Sequence, residues 1–554
     1  MSDRLAIALC QINPTVGDVD GNLRLITDAR RQAADMGADL MVTGELALSG
    51  YPPEDLVLKP AFQDAIAGAV EALASATADG GPAVLTGAPW RGDDGNLYNA
   101  ALLLEDGKLS QTRLKHMLPN YGVFDEKRVF DAGPLPGPMP FRGARLGVMV
   151  CEDMWTADVS ECLSESGAEI MVVINGSPFE ADKADQRLNL AVARVAECKM
   201  PFIYVNLVGG QDELVFDGGS FVIDEAYTLR CRQPFWESRV TLTEWRREGE
   251  GWTCAEGEVA PTLDRSENIY RAMTLGLRDY VDKSGFPGVV LGLSGGIDSA
   301  LSAAVAVDAL GSERVLAVML PSPYTSVESL EDAAGCAELL GIRLEEIGIA
   351  PAMQAFDGML GALFEGLDAD ATEENIQARA RGLTLMAVSN KLGHMVLTTG
   401  NKSEMSVGYA TIYGDMCGGF SVLKDVYKTT VFELSRWRNQ VHPLDALGPA
   451  GRVMPERIIT KPPTAELKPD QTDQDTLPPY DQLDAILQCL IEDERSLGEI
   501  TADGHDEATV RRVWRMLDRA EYKRRQAPPG VKITARAFGR DRRYPITNGF
   551  TDQV

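Results

Sequence analysis

The chain has 554 residues, 45% of them apolar and 24% charged, with a formal net charge of −29. At roughly 100–200 residues per domain this length allows two to four domains, and two large ones is the economical reading. Ordinary globular composition with strong acidity excludes a nucleic-acid-coating protein, which would need a broad basic footprint, and describes a soluble chain that repels anions except where basic residues cluster. Nine scattered cysteines without a CxxC pair, and only four histidines, argue against a disulfide framework or a zinc site. The apolar run 5–12 is too short for a signal peptide, and no stretch approaches the ~20 apolar residues of a membrane span. The expected location is the cytoplasm, with no membrane or nucleic-acid partner.

In chain order, the first half alternates strands with helices. Short β-rich runs fall at 5–10, 40–42, 83–86, 100–104, 145–150, 169–174, 202–207 and 221–223, with helical patterns at 22–36, 61–77 and 185–198. A fully apolar run such as Ile170-Met171-Val172-Val173-Ile174 suits a strand covered on both faces. Glu248-Gly249-Glu250-Gly251 is polar and turn-forming, and few apolar residues follow before Ile269, so it reads as the start of a linker with a boundary near 260. The expected domains are 1–260 and 261–554.

The second half restarts an α/β pattern: helix 266–282, strand 288–293, a Gly-rich turn, helix 298–310 and strand 314–319. Helices 329–340 and 373–392 and β-like runs 344–349 and 395–399 continue it. This order favours a doubly wound parallel sheet with ligands at the C-terminal strand ends. Apart from the 248–251 segment, only 461–480 is low in complexity. From Arg511 to Arg543 the chain carries twelve Lys and Arg residues. They read either as a solvated helix face with a basic tail or as a local anion site for a phosphorylated substrate.

Two segments carry chemistry. Leu293-Ser294-Gly295-Gly296-Ile297-Asp298-Ser299 lies between an expected strand and an expected helix. A phosphate there would meet several backbone N–H groups and the helix dipole. Gly295 and Gly296 let the backbone approach, Ser294 and Ser299 offer hydroxyls, and Asp298 can hold Mg²⁺ through oxygen. The loop lacks the Lys and spacing of GxxxxGK[ST], so a γ-phosphate clamp is not indicated. The alternative is a Gly-Gly turn followed by an ordinary helix cap. In the first half, Cys151 stands at the exit of the apolar strand Gly147-Val148-Met149-Val150, where a cysteine is usually a small hydrophobe. Glu45 ends another strand in Thr43-Gly44-Glu45-Leu46, and Lys115 offers a cation in Arg113-Leu114-Lys115-His116.

Both segments resemble known families. The loop resembles the SGGxDS motif of the N-type ATP pyrophosphatases. The blocks Glu374-Asn375-Ile376-Gln377-Ala378-Arg379, Thr398-Thr399-Gly400-Asn401-Lys402-Ser403-Glu404, Tyr413-Gly414-Asp415, Lys424-Asp425-Val426-Tyr427-Lys428 and Glu521-Tyr522-Lys523-Arg524 are similar to those of NAD synthetases. That resemblance implies ATP at Gly292, Leu293, Ser294, Gly295, Gly296, Ile297, Asp298, Ser299, Arg379, Thr399 and Lys428. It implies deamido-NAD at Asn375, Glu404, Asp415 and Lys523, and Mg²⁺ at Asp298 and Glu404. Of the two arginines Arg379 and Arg381, it favours Arg379.

Glu45, Lys115 and Cys151, with Leu118-Pro119-Asn120-Tyr121-Gly122 and Asn175-Gly176-Ser177-Pro178-Phe179, resemble the nitrilase superfamily. Within it they are most similar to the glutaminase domain of glutamine-dependent NAD synthetases. The resemblance implies a nitrilase-like α-β-β-α sandwich followed by a doubly wound, adenine nucleotide alpha hydrolase-like domain. Glu45 would take the thiol proton, Cys151 would attack glutamine, and Lys115 would stabilise the oxyanion, the roles a thiol of pKa ~8.5 needs around it. Tyr121, Ser177 and Lys183 would hold the glutamine, with Glu126 orienting Lys115 and Glu45. His116 has suitable chemistry for a base, but the resemblance gives that role to Glu45. The ammonia would amidate deamido-NAD to NAD⁺ as ATP is split to AMP and pyrophosphate, and a homo-oligomer is implied. Alternatives are an amidotransferase of the same loop type acting on another carboxylate or carbonyl acceptor, and a degenerate nitrilase half kept as a scaffold.

Overall fold

The computed structural model describes residues 3–181, 183–249, 251–468 and 471–550. Glu250 of the expected linker, and Pro469 and Asp470 of the 461–480 stretch, lie outside the described residues. The chain divides into two units, Met1–Leu263 and Asp264–Val554. Among the described residues, no helix is long and apolar enough to cross a membrane.

The first unit begins with β1 (Arg4–Gln11), α1 (Val19–Asp35), β2 (Leu40–Thr43), α2 (Pro60–Ala76), β3 (Ala83–Arg91), β4 (Leu97–Glu105) and β5 (Lys108–Leu114). It continues through β6 (Met139–Phe141), β7 (Ala144–Val150), α3 (Ala157–Glu165), β8 (Ile170–Asn175), α4 (Ala184–Cys198) and β9 (Phe202–Asn206). Six strands close it: β10 (Val208–Gln211), β11 (Leu214–Asp217), β12 (Phe221–Ile223), β13 (Leu229–Arg232), β14 (Arg239–Glu248) and β15 (Gly251–Cys254).

Two sheets result, in the orders β15-β14-β1-β2-β3-β4-β5 and β13-β12-β9-β8-β7-β6, with β10 and β11 as a separate pair. Strand alternation sends one set of side chains to each face. Leu5, Ile7 and Leu9 of β1 pack with Val148, Val150, Ile170, Val172 and Ile174 in a core between the sheets. Ala8 and Cys10, from the other face of β1, pack with Ile26 of α1 and Ile66 of α2. Met171 and Val173 of β8 likewise meet Val159 of α3 and Val195 of α4. The layers therefore run α-β-β-α, and burial on both faces explains the continuous apolar runs.

The 248–251 segment is not a linker. Glu248 pairs with Gly251 as β14 turns back antiparallel into β15, with Gly249 at φ +63°, and the hairpin extends the first sheet. Its apolar anchors, Trp245 and Trp252, join the core between the sheets.

The second unit contains α5 (Arg265–Lys283), β16 (Val289–Gly292), α6 (Ile297–Leu310), β17 (Val315–Met319), α7 (Val327–Leu340), β18 (Arg343–Glu346), α8 (Ala350–Leu360) and α9 (Ala371–Leu392). Then come β19 (Met395–Thr398), α10 (Lys402–Val407), β20 (Phe420–Ser421), α11 (Lys428–Gln440), α12 (Glu456–Thr460), α13 (Tyr480–Ile491), α14 (Leu497–Ala502), α15 (Glu507–Arg519) and α16 (Glu521–Arg524). The sheet order is β18-β17-β16-β19-β20 and every pairing is parallel. From β16 the chain winds outward to β18, then returns to β19 on the other side. The order reverses next to β16, where a crevice opens beyond the strand ends, and the glycine loop follows β16 directly.

Candidate active sites

In the first unit four strands deliver the site at their C-terminal ends. Glu45 follows β2, Lys115 follows β5, Cys151 follows β7 and Gly176 follows β8. Lys115 Nζ donates to Glu45 Oε1 at 2.7 Å and to both oxygens of Glu126 at 2.9 and 2.8 Å. Glu45 is held by two further donors, Asn99 Nδ2 at 2.7 Å on Oε1 and the Gly176 N–H at 2.9 Å on Oε2. Tyr51 Oη donates to Glu126 Oε1 at 3.0 Å. Lys115 and Glu45 are fully buried and Glu126 nearly so, so the cluster excludes water and its charges act at low dielectric.

These neighbours set the protonation states. Burial alone would lower the Lys115 ammonium, but the Glu126 and Glu45 charges outweigh it and hold its pKa well above the ordinary value. Burial lifts the Glu126 carboxyl to about 7 against the pull of Lys115. Burial, with the Glu45 charge adding to it and Lys115 opposing, pushes the Cys151 thiol well up. These neighbours favour the neutral thiol at Cys151. Cys151 has φ +44° and opens a short 3₁₀ turn, Cys151–Met154.

Around this centre, Tyr121 Oη donates to both oxygens of Glu152 at 3.0 Å. Lys183 Nζ stands 5.8 Å from the ring centroids of both Phe124 and Trp155 and 3.4 Å from Glu180 Oε1. Ser177 accepts from Arg187 Nε at 3.1 Å, and Arg187 is paired with Asp217. His116 turns its ring away, with Nδ1 2.7 Å from the Gly133 carbonyl oxygen. Glu152 is a residue that sequence reasoning left without a role; its place directly after Cys151 was the available signal.

In the second unit the loop after β16 is built as a cradle. Gly295 has φ +79°, and a Cβ there would lie 2.2 Å from the Ser329 carbonyl oxygen, so only glycine fits. Gly296 is the N-cap of α6, and its N–H donates to Ser294 Oγ at 3.2 Å. The two serine hydroxyls lie 3.0 Å apart. Behind them, Lys428 Nζ bonds to Asp298 Oδ2 and stands 3.1 Å from Glu404 Oε1. Asn401 ties the arrangement together, donating to Asp298 Oδ1 at 2.9 Å and capping α10 through the Glu404 N–H at 2.9 Å. Burial raises the Glu404 carboxyl to about 7 although Lys428 pulls it down. Burial would lower Lys428, but Asp298 and Glu404 hold it above its ordinary range. The loop, Thr399, Arg381, Glu404, Asp415 and Lys428 line one cleft.

The chain is similar to known proteins over its whole length. Residues 6–250 match the carbon-nitrogen hydrolase family and residues 269–527 the NAD synthase family. A glutamine-dependent NAD(+) synthetase of Rhodobacter capsulatus is 50% identical over 100% of both chains. The chain belongs to the glutamine-dependent NAD(+) synthetase family. The Acinetobacter baylyi member is 44% identical over 98% of each chain. The Acinetobacter baumannii glutamine-dependent NAD(+) synthetase, solved with ADP, matches with TM-score 0.79 at 43% identity over 99% of each chain. One from Cytophaga hutchinsonii, 22% identical with TM-score 0.82 and 99% coverage of each chain, shares the fold. As a glutamine-dependent NAD(+) synthetase the chain is a ligase that forms a carbon–nitrogen bond, and the alternatives of another acceptor or an inert scaffold are not favoured.

Within this family frame, some residues named from sequence stand apart from the cleft. Arg379 is exposed, with Nε 3.3 Å from the Ile412 carbonyl oxygen, whereas Arg381 lines the cleft and donates to the Leu320 carbonyl oxygen at 3.0 Å. Asn375 accepts from Thr411 Oγ1 at 2.8 Å, and Lys523 Nζ donates to the carbonyls of Gly408 and Ala410 at 2.7 and 2.6 Å. Lys523 thus holds the 408–410 backbone and Asn375 the Thr411 side chain, beside the cleft. Part of the charge of the basic stretch from Arg511 to Arg543 is met by carboxylates. Arg524 and Arg542 share Glu521, Lys532 pairs with Asp541, Arg511 with Glu507 and Arg536 with Glu494, and none of its Lys or Arg residues lines the cleft.

Proposed function

We propose that this chain frees ammonia from glutamine at Cys151 and uses it at the glycine-loop cleft to amidate deamido-NAD. The observation that carries the reading is the Lys115 ammonium held between two carboxylates beside the Cys151 thiol, in one chain with a nucleotide cradle. Glutamine brings an α-ammonium and an α-carboxylate. Glu152 and Lys183 offer the opposite charges, with Tyr121 and Ser177 beside them. Glu45, its oxygens fixed by Lys115, Asn99 and Gly176, takes the thiol proton as Sγ attacks the carboxamide carbon. The oxyanion meets Lys115 and backbone N–H groups. Collapse breaks the C–N bond, and the proton on Glu45 goes to the leaving nitrogen. Glu45 then deprotonates water, which opens the thioester and returns the proton to sulfur.

In the cleft, the nicotinate carboxylate attacks the ATP α-phosphorus, pyrophosphate leaves, and ammonia displaces AMP from the adenylate. The loop N–H groups from Ser294 to Ser299, the two serine hydroxyls, Thr399, Arg381 and Lys428 hold the triphosphate. Glu404 and Asp415 face the dinucleotide, with Asn375 acting through the Thr411 hydroxyl and Lys523 through the 408–410 backbone. Asp298 and Glu404 are hard oxygen donors on either side of Lys428. Among the described residues no group of three or more potential ligands stands together, so two carboxylates with phosphate oxygens and water suit Mg²⁺, which keeps several waters. Bound there, Mg²⁺ would offset phosphate charge and ease departure of pyrophosphate. Free ammonia is mostly ammonium in neutral water and lacks a lone pair, so a delivered ammonia is the better nucleophile. A homo-oligomer is the fitting assembly, since α9 exposes Leu383 and Met386, and sedimentation of the purified chain above monomer mass tests it. The activity test supplies deamido-NAD, ATP, Mg²⁺ and glutamine and follows AMP and NAD⁺. Equal amounts of both are expected; AMP without NAD⁺ would overturn the acceptor.

A further inference from the structure

One buried carboxylate in the first unit has no place in the steps above. Asp153 lies two residues past Cys151 and is completely buried. Its Oδ2 accepts from the Val150 N–H at 3.0 Å, and its Oδ1 accepts from the N–H groups of His116 at 3.0 Å and Met117 at 2.8 Å. Val150 immediately precedes Cys151, and His116 and Met117 immediately follow Lys115. A single side chain therefore staples the backbone that carries the thiol to the backbone that carries the ammonium.

Two further features show that the staple is under demand. Cys151 holds φ +44°, a region that residues with a Cβ populate only when their surroundings over-determine it. The Val150–Asp153 bond closes the turn around that residue. Lys115 is anchored on its other side, its N–H donating to the Asn99 carbonyl at 2.8 Å and its carbonyl accepting from the Gly133 N–H at 2.7 Å. Those bonds tie Lys115 to β4 and to the loop at Gly133. Asp153 supplies the link from there to the cysteine turn. All three of its partners are donors, so both oxygens must accept. An asparagine would point its NH₂ at the Val150 N–H or at the His116–Met117 pair, donor against donor.

We propose that Asp153 is a positioning residue for the glutaminase reaction, holding the Cys151 thiol and the Lys115 ammonium at working distance through the backbone. It touches neither glutamine nor the reacting atoms. The proposal rests on the reading of Cys151 as the glutaminase nucleophile. Misplacement by about 1 Å costs roughly 100-fold in rate, so Asp153→Asn should lower glutaminase kcat by about that factor. The glutamine KM should change less than kcat, because Ser177 and Lys183 belong to segments that the staple does not hold, although Glu152 lies inside the stapled turn.

The test uses the full chain. Ammonia-driven NAD⁺ synthesis by Asp153→Asn should match wild type, which shows the protein is folded. Alkylation of Cys151 by iodoacetamide, followed by the mass of its peptide across pH, should shift to higher pH as Lys115 moves away from the thiolate. Asp153→Ala, which leaves all three N–H groups without an acceptor, should be more damaged than Asp153→Asn. A wild-type alkylation profile in Asp153→Asn, or glutaminase kcat within threefold of wild type, would overturn the proposal. Loss of both activities together would overturn it too, reducing Asp153 to a folding residue. Cys151→Ala separates the two levels: if that variant keeps glutaminase activity, it is the nucleophile assignment that fails.

Discussion

Replacing Lys115 with methionine keeps most of the side-chain volume and deletes the charge on which the first site is built. Its Nζ lies 2.7 Å from Glu45 and 2.8 Å from Glu126, with no solvent access to the ammonium. Removing one partner of a buried ion pair costs about 3–5 kcal/mol, because the other charge is left uncompensated. Here two carboxylates remain facing one another. Glu126, already at about 7 through burial, rises further once Lys115 no longer opposes that shift. The folded-state value then lies well above the ordinary 4.5. The stability linked to the Glu126 carboxyl is fully present below that ordinary value and is lost as pH rises through the folded value.

Lys115→Met should accordingly be destabilised by about 3–5 kcal/mol at a pH near 8 and should approach wild type at a pH near 5. Adding Glu126→Gln removes one of the stranded charges and should recover part of the loss at the higher pH. Urea unfolding read by tryptophan fluorescence suits the measurement, since Trp90, Trp155, Trp236, Trp245 and Trp252 all lie in the first unit. Glutaminase activity should fall by about 100-fold or more at every pH. A variant as stable as wild type at pH 8, or a loss that does not change with pH, would refute the reasoning about the buried charges.

Other expectations concern the second unit. Gly295→Ala places a Cβ 2.2 Å from the Ser329 carbonyl oxygen at φ +79°, so the loop or α7 must shift. The ATP KM should rise at least about tenfold while glutaminase turnover stays unchanged, as one charge-assisted contact is worth about 1.5–3 kcal/mol; an unchanged KM contradicts the cradle. By the same magnitude Arg381→Ala should raise the ATP KM about 10- to 100-fold, and Arg379→Ala should leave it within twofold. Steady-state kinetics at saturating ammonia decide between them, and the reverse ranking would return the role to Arg379.

Much of this was legible in the sequence for physical reasons. Runs such as 170–174 and 202–207 are buried on both faces of an inner strand, so their apolar character marks them directly. The glycine loop was legible because it sits between a strand and a helix at the reversal of the sheet order. The 239–254 hairpin was obscured by the charged residues of β14 and by a turn that looks like a linker. Arg379 and Arg381 are two residues apart on a helix and point to different sides, and only the packing of α9 on β16 and β19 decides which one meets the cleft. The basic stretch left two readings open because some of its partners are brought in by folding: Glu494 and the nearer Glu521 and Asp541 pair with its charges. Asp153 stood in plain view beside Cys151, but its acceptors' partners come from residues 116, 117 and 150, and no spacing rule predicts them.

The central claim is that one chain runs two reactions, with ammonia passing from the first to the second. Its most direct test compares Cys151→Ala and Asp298→Ala, each assayed for NAD⁺ formation with glutamine and, separately, with ammonium. Cys151→Ala should lose glutamine-driven synthesis and keep ammonium-driven synthesis near the wild-type rate, while Asp298→Ala should lose both. Equal loss of both nitrogen sources in Cys151→Ala, or retained synthesis in Asp298→Ala, would contradict the division of labour.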